Sequence, residues 1–168
     1  MKTSYTRQKG RAANAASAKK HHLSDEVREA TEAVRQRLKE SHAVRGMGFA
    51  VERVEVGLVI FTMRVRQRHR QMHGVVHGGI LAMLADTVAA IAAYTTVPRG
   101  TEIATIEMKI NFLEAVAAGE IRAEGRVLRT GRNFVVTECE IRNQDESLAA
   151  KALLTFGAMS GQSFSTKK

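Results

Sequence analysis

Cysteine is nearly absent from this chain: 168 residues contain one, Cys139. A single thiol excludes an internal disulfide framework and a cysteine-rich zinc site. Cys139 falls at an alternating apolar position of an expected strand, which reads as a small core residue. Acids are missing from residues 1–22, and so is an apolar block of the length a secretory signal requires. That segment carries Lys2, Arg7, Lys9, Arg11, Lys19 and Lys20, which supply six of the nine net positive charges. Lys167 and Lys168 add two, leaving 18 basic residues against 17 acidic ones in the body of the chain. The basicity belongs to the tails, so the body offers no nucleic-acid-binding face. We therefore expect a basic disordered tail at 1–22, one domain at 23–160 and a short tail at 161–168. The expected compartment is the cytoplasm, or an organelle if the basic tail is a transit peptide.

Charge is also missing from Gly78 to Val97, where Asp86 is the only formally charged side chain. The run is long enough to cross a membrane. A central acid, an opening Gly-Gly pair and flanking strands with alternating charge argue against that reading, and no membrane partner is expected. Its alanines (Ala82, Ala85, Ala89, Ala90, Ala92 and Ala93) would let a sheet pack closely around a buried helix from His77 to about Thr95.

Around this segment the period changes to two. Val59, Phe61, Met63 and Val65 alternate with Ile60, Thr62, Arg64 and Arg66. Downstream, Ala104, Ile106, Met108, Ile110 and Phe112 are expected on one strand face, with Thr105, Glu107, Lys109 and Asn111 on the other. Gly119 opens a strand with Ile121, Ala123, Gly125 and Val127 on one side. Thr130-Gly131 reads as a hairpin turn, and Val135, Thr137, Cys139 and Ile141 share the next face. Asn143–Glu146 form a second turn before a largely buried strand from Ser147 to Ala158. Upstream, Ser24 can cap a helix from about Asp25 to His42, ending before Gly46 and Gly48. The order is helix, two strands, apolar helix, then four strands in hairpin succession. This is an α+β fold in which an antiparallel sheet of about six strands covers a central helix.

Three readings bear on chemistry. His69, His73 and His77 recur every four residues, but Gly74, Gly78 and Gly79 oppose a continuous helix and four nearby arginines would repel a cation. Loop histidines, with His77 fixing the helix start, are expected, and no metal. Gly78-Gly79 would let a ligand approach unpaired N–H groups at the positive end of the helix dipole. Close helix–sheet packing would explain the same glycines. Asp86 is either a hydrogen-bonded core acid or a nucleophile or general base in a dry site. Eight residues separate Gly78 from Asp86, about 12 Å along a helix. An oxyanion donor and an attacking group must each come within ~3 Å of one carbonyl. If both residues act, two antiparallel copies must form two sites across their interface.

The residues Gln71, Gly74, His77-Gly78-Gly79 and Asp86 resemble the hotdog-fold acyl-CoA thioesterases, in particular the PaaI-like (phenylacetate-degradation) and 4-hydroxybenzoyl-CoA thioesterases. The resemblance runs from about Gly46 to Met159 and includes "TIEMKINFLEA", "VLRTGRNFVVTECEI" and "SLAAKALLTF". It implies a hotdog fold, with the apolar helix wrapped by the sheet. It implies Asp86 as nucleophile or base, and the Gly78 N–H of another subunit as the donor that polarises the thioester carbonyl. Gln71 would orient the thioester or water, and Thr105 would hold the water. His77, Gly79, Asn111, Arg129, Gly131 and Arg132 are implied as weaker substrate contacts, the last three toward the coenzyme A portion. Some relatives with Glu for this Asp carry a hydroxyl residue one turn later; here that position is Ala90. The resemblance implies an acyl-CoA substrate, no cofactor beyond it, and a homodimer or a tetramer built from dimers. A non-catalytic acyl-CoA or acyl-carrier binding module and a hotdog hydratase are the alternatives. The hydratase pattern needs a histidine soon after its Asp, and none follows His77.

Overall fold

Alternating apolar side chains give six strands one greasy face each, and that shared face assembles them into one sheet. The computed structural model describes residue 32 and residues 34–160; the expected tails and the helix start at Ser24 lie outside them. The strands are β1 (Phe49–Glu55), β2 (Leu58–Arg64), β3 (Thr101–Phe112), β4 (Glu120–Thr130), β5 (Phe134–Arg142) and β6 (Leu148–Ser160). Residues 34–40 are helical, and Ser41 interrupts them and caps a second short helix, α1 (His42–Met47). The helical region therefore passes His42 and includes Gly46, contrary to expectation. It stops at Gly48, whose φ of 71° is the left-handed conformation that glycine adopts without strain.

The apolar run forms α2 (Gly78–Tyr94), capped by His77 and ending at Thr95. These are the bounds that the sequence predicts. Leu84, Ala85, Val88, Ala89, Ala92 and Ala93 are fully buried against the sheet. The sheet comes very near the helix at Gly125 of β4. A Cβ there would lie 3.0 Å from the Val88 carbonyl carbon and oxygen, so the sheet rests on the helix backbone itself.

Strand order is β1-β2-β4-β5-β6-β3, antiparallel throughout. The expectation of four successive hairpins fails at its first step: β3 pairs with β6, and β4 pairs with β2. The reason is the path the chain takes after α2. The chain leaves the end of the helix and turns back antiparallel alongside it, with Glu102 near Tyr94 and Phe112 near Gly78. The strand so placed lies at the edge beyond β6 and pairs with it. The segment 113–119 then returns past Val76 and Val65, with Val116 buried beneath it.

The face assignment of β3 also needs correction. Its register with β6 shifts between Thr105 and Glu107, a β-bulge. Before the bulge Ile103 and Thr105 face α2; after it Met108, Ile110 and Phe112 do. Ile106 is the inserted residue, 59% exposed, with its tip over Gly157 on the outer face. Ala104 and Ile106 therefore do not share the face of Met108. The other alternations hold: Val135, Thr137, Cys139 and Ile141 are all buried, and burial pushes the Cys139 thiol's pKa far up.

The outer face of the sheet neutralises itself. Arg122 bridges Glu52 and Glu124, Arg126 meets Glu124 at 2.8 Å, and Lys151 joins Glu138 and Glu140. Lys151 and Arg142 together hold the Glu140 carboxyl below the usual range.

Candidate active site

The N-terminus of α2 is built by a loop that folds back on itself. A 3-10 turn (Gln67–His69) leads into a bridge between Arg70 and Val76, and Gln71 lies at the base of the loop that this bridge closes. The Gln71 N–H donates to the Val75 carbonyl at 2.8 Å, and the Gly74 N–H to the Gln71 carbonyl at 3.0 Å. His77 follows: its own N–H donates to the His69 carbonyl at 2.8 Å, and its Nδ1 accepts from the Gly79 N–H at 2.9 Å. Its carbonyl accepts from Ile80. The Gly79 and Ile80 donors are therefore spent on the cap, whereas the Gly78 N–H has no partner among the described residues. Such an orphan donor at a helix start is where a developing negative charge is best stabilised.

His69 is the anchor that sequence reasoning underrated. It is 1% exposed amid an arginine-rich run that otherwise reads as solvated loop. Its Nδ1 accepts from the Arg66 N–H at 3.1 Å, and its ring also bonds the Met47 carbonyl at the end of α1. Burial first, then the Arg68 charge, lowers its pKa below 6.5. The fold thus holds the neutral ring. The unfolded chain takes up a proton below about pH 6.5 while the folded chain resists, so stability is full above that pH and declines below it. Thermal melts between pH 7.5 and 5 should show this loss, and His69→Gln should flatten the slope. An unchanged slope in the variant would remove His69 as its source.

Asp86 lies near the middle of α2, on a stripe of half-exposed residues with Met83, Thr87 and Ala90 that the sheet does not cover. The expected dry enclosure is absent from the single chain. A six-stranded sheet closes around only part of the helix, and β3, its last strand, borders the open stripe. There the bulge turns Thr105 inward, and its hydroxyl Oγ1 donates to Asp86 Oδ1 at 2.7 Å. Nothing local in the sequence links residues 86 and 105. The structure thus brings together two of the residues singled out and leaves the Asp86 Oδ2 open for chemistry.

The remaining candidates lie apart. Asn111 follows the bulge on the outer-facing side of β3, paired with Lys151. Arg129, Gly131 and Arg132 belong to the β4–β5 hairpin, which Thr130 ties to Thr96 just beyond the C-terminal end of α2 at 2.8 Å. Glycine turn, aspartate and hairpin therefore sit at the start, middle and end of one helix. A cavity of about 1100 Å³ opens between residues 32–37 and Thr95–Thr101, away from Asp86. Among the described residues, no three His, Cys, Asp or Glu side chains converge as metal ligands, and no helix is long and apolar enough to cross a membrane.

Comparison with known proteins adds a second line. Residues 73–150 match the thioesterase superfamily, an interval that contains the glycine turn, Asp86, Thr105 and the hairpin. A Saccharolobus solfataricus protein named as an esterase is 36% identical over 100 residues, covering 60% of this chain and 71% of the relative. The proofreading thioesterase EntH of Klebsiella pneumoniae is 32% identical over 105 residues, covering 62% of this chain and 77% of the relative. The crystal structure of the PaaI protein from the phenylacetic acid degradation operon of E. coli superposes with a TM-score of 0.74 at 25% identity, over 83% of this chain and 98% of that one.

Proposed function

Because this chain belongs to the thioesterase superfamily and is a thioester hydrolase with the hotdog fold, we propose that it hydrolyses an acyl-CoA at sites shared between two copies. The observation that carries the reading is the hydrogen bond from Thr105 to Asp86 on the uncovered stripe of α2. It orients a carboxylate toward a surface that a second chain would close. The orphan Gly78 N–H is eight residues away, about 12 Å along the axis, too far to serve the same carbonyl within one chain. An antiparallel second copy puts the glycine turn of one chain opposite the aspartate of the other. It also brings the hairpin of one chain to the glycine end of its partner.

In each site the thioester carbonyl oxygen accepts from Gly78 of one copy, which stabilises the oxyanion as it forms. Asp86 of the other copy either attacks the carbonyl carbon or takes the proton from an attacking water. Direct attack expels the thiolate of coenzyme A and leaves a mixed anhydride that water cleaves. General-base attack passes through a tetrahedral adduct that expels the same thiolate. Thr105, donating to Oδ1, keeps lone pairs that can accept from that water. Gln71 orients the thioester beside the glycine turn, with His77 and Gly79 shaping it. Arg129, Gly131 and Arg132 present the positive hairpin to the phosphates of coenzyme A, and Asn111 is a further polar contact on β3. Coenzyme A is part of the substrate, and side chains and water supply the rest of the chemistry.

Complementation tests the shared site. Gly78→Pro removes the N–H at the first helical residue, where the helix backbone accepts proline. His77 already has the extended backbone that a following proline requires (φ −64°, ψ 132°), and the half-exposed Phe112 ring, 3.2 Å from the added Cβ, must shift by a few tenths of an ångström. Thiol release from acyl-CoA should be lost in Gly78→Pro and in Asp86→Asn separately. A purified heterodimer of the two should regain about half the wild-type rate, because one of its two sites pairs an intact glycine with an intact aspartate. No recovery in a verified heterodimer would refute the shared site. An absence of thiol release from any acyl-CoA by the wild-type protein would refute the substrate class.

A further inference from the structure

Gly78 lacks a side chain, yet the space beside it is filled. A Cβ built there would stand 3.2 Å from Cζ of Phe112 and 3.5 Å from two more ring carbons, so the ring lies against the glycine backbone. A ligand cannot reach the Gly78 N–H through the opening that the missing Cβ would leave. The aromatic ring fences that side of the turn, and approach is confined to the remaining, solvent-facing side.

The ring itself is unfinished business for the single chain. Phe112 is 53% exposed and the adjacent Leu113 57%, an unusual cost at the end of an edge strand. The same inward face of β3 carries Met108 and Ile110, half-buried against the core, and begins at Thr105 beside Asp86. An apolar strip of side chains thus runs along the inner side of β3 and ends at the orphan donor.

We propose that Phe112 is a specificity-determining wall of the acyl subsite, packing against the apolar body of the acyl group while its carbonyl oxygen sits on the Gly78 N–H. This rests on the thioesterase reading above and names what that reading leaves open, the part of the chain that senses the acyl group. Anything held about 3 Å from that N–H is a neighbour of the ring. Apolar atoms of the acyl group then leave water against its exposed half, and the gain grows with the number of carbons covered. An acetyl group is too short to use much of the surface.

The test is steady-state hydrolysis of acetyl-, butyryl-, hexanoyl-, octanoyl- and phenylacetyl-CoA by wild type, Phe112→Leu and Phe112→Ala, with thermal melts to confirm folding. In Phe112→Ala the preference for the best wild-type substrate over acetyl-CoA should fall about tenfold, roughly the contribution of two buried methylene groups. The loss should appear mainly in KM, with Phe112→Leu intermediate because it keeps part of the apolar surface. An equal loss on every substrate would assign the ring to supporting the glycine turn alone and overturn the proposal. So would an unchanged preference in both variants. If the wild type turns over no acyl-CoA, the thioesterase reading and this inference fall together; if only the preference is unmoved, this inference falls alone.

Discussion

Asp86→Asn should lower kcat by about a thousandfold or more while leaving the fold intact. The two side chains have the same shape, and the amide oxygen can still accept from Thr105 Oγ1, as Oδ1 does at 2.7 Å. What disappears is the negative charge and with it the ability to accept a proton or attack a carbonyl. Positioned general bases contribute about 10²–10⁴ in rate, and a lost nucleophile costs at least as much. Asp86 is only half-buried, so the charge change should move the melting temperature little. Thiol release and a thermal melt measure the two effects. A variant keeping more than a tenth of the wild-type kcat would remove Asp86 from the chemistry. A single turnover in ¹⁸O-labelled water refines the result, since label recovered in Asp86 marks the covalent route.

The largest loss of stability should come from Gly125→Val. A Cβ at this position would meet Val88 Cγ1 at 2.9 Å, and the carbonyl carbon and oxygen of Val88 at 3.0 Å. A side-chain tip could rotate away, but helix backbone cannot, so β4 must lift from α2 at this contact. Overpacking of this kind costs about 1–3 kcal/mol for added methylenes, and valine stands at the upper end. A fall of roughly 5–10 °C in melting temperature follows for a domain of this size. Gly46→Ala is the matched control, because nothing lies within 4 Å of its added Cβ inside α1. Alanine there should hold or slightly raise the melting temperature. Equal behaviour of the two variants would show that the approach of sheet to helix at Gly125 is looser than these distances.

Local pattern carries information only as far as it stays local. The apolar run, its opening histidine and the threonine after Tyr94 mark both ends of α2, because burial and capping are properties of adjacent residues. The faces of β4 and β5 are equally readable, since one residue per step alternates between core and solvent. The position of β3 is not, because its partner β6 comes only after two further strands in the chain and nothing in β3 itself names it. Ile106 is misleading in a specific way: an apolar side chain at the next even position continues the alternation across a bulge that in fact reverses it. His69 is hidden by its arginine neighbours, whose polarity says surface while its own ring is sealed in. For the site, the spacing of Gly78 and Asp86 calls for a second copy if both residues act, and that condition is legible in the sequence. The meeting of Asp86 with Thr105, and of Gly78 with Phe112, comes only from the three-dimensional path.

That path depends on arithmetic as much as on chemistry. Thr105 and Phe112 are seven positions apart, an odd number, and on an unbroken strand they would look in opposite directions. They look the same way because one residue between them is uncounted by the pairing partner. The edge strand can therefore serve the aspartate with one side chain and the glycine turn with another while an odd spacing is matched by one bulge, as here, or an even spacing by none. Exchanging Ile106 for another residue alters a surface. Removing it would take the bulge away and leave six positions, an even number, so the two side chains would still look the same way. Adding a residue without a second bulge would turn the strand over and separate the two ends of the site.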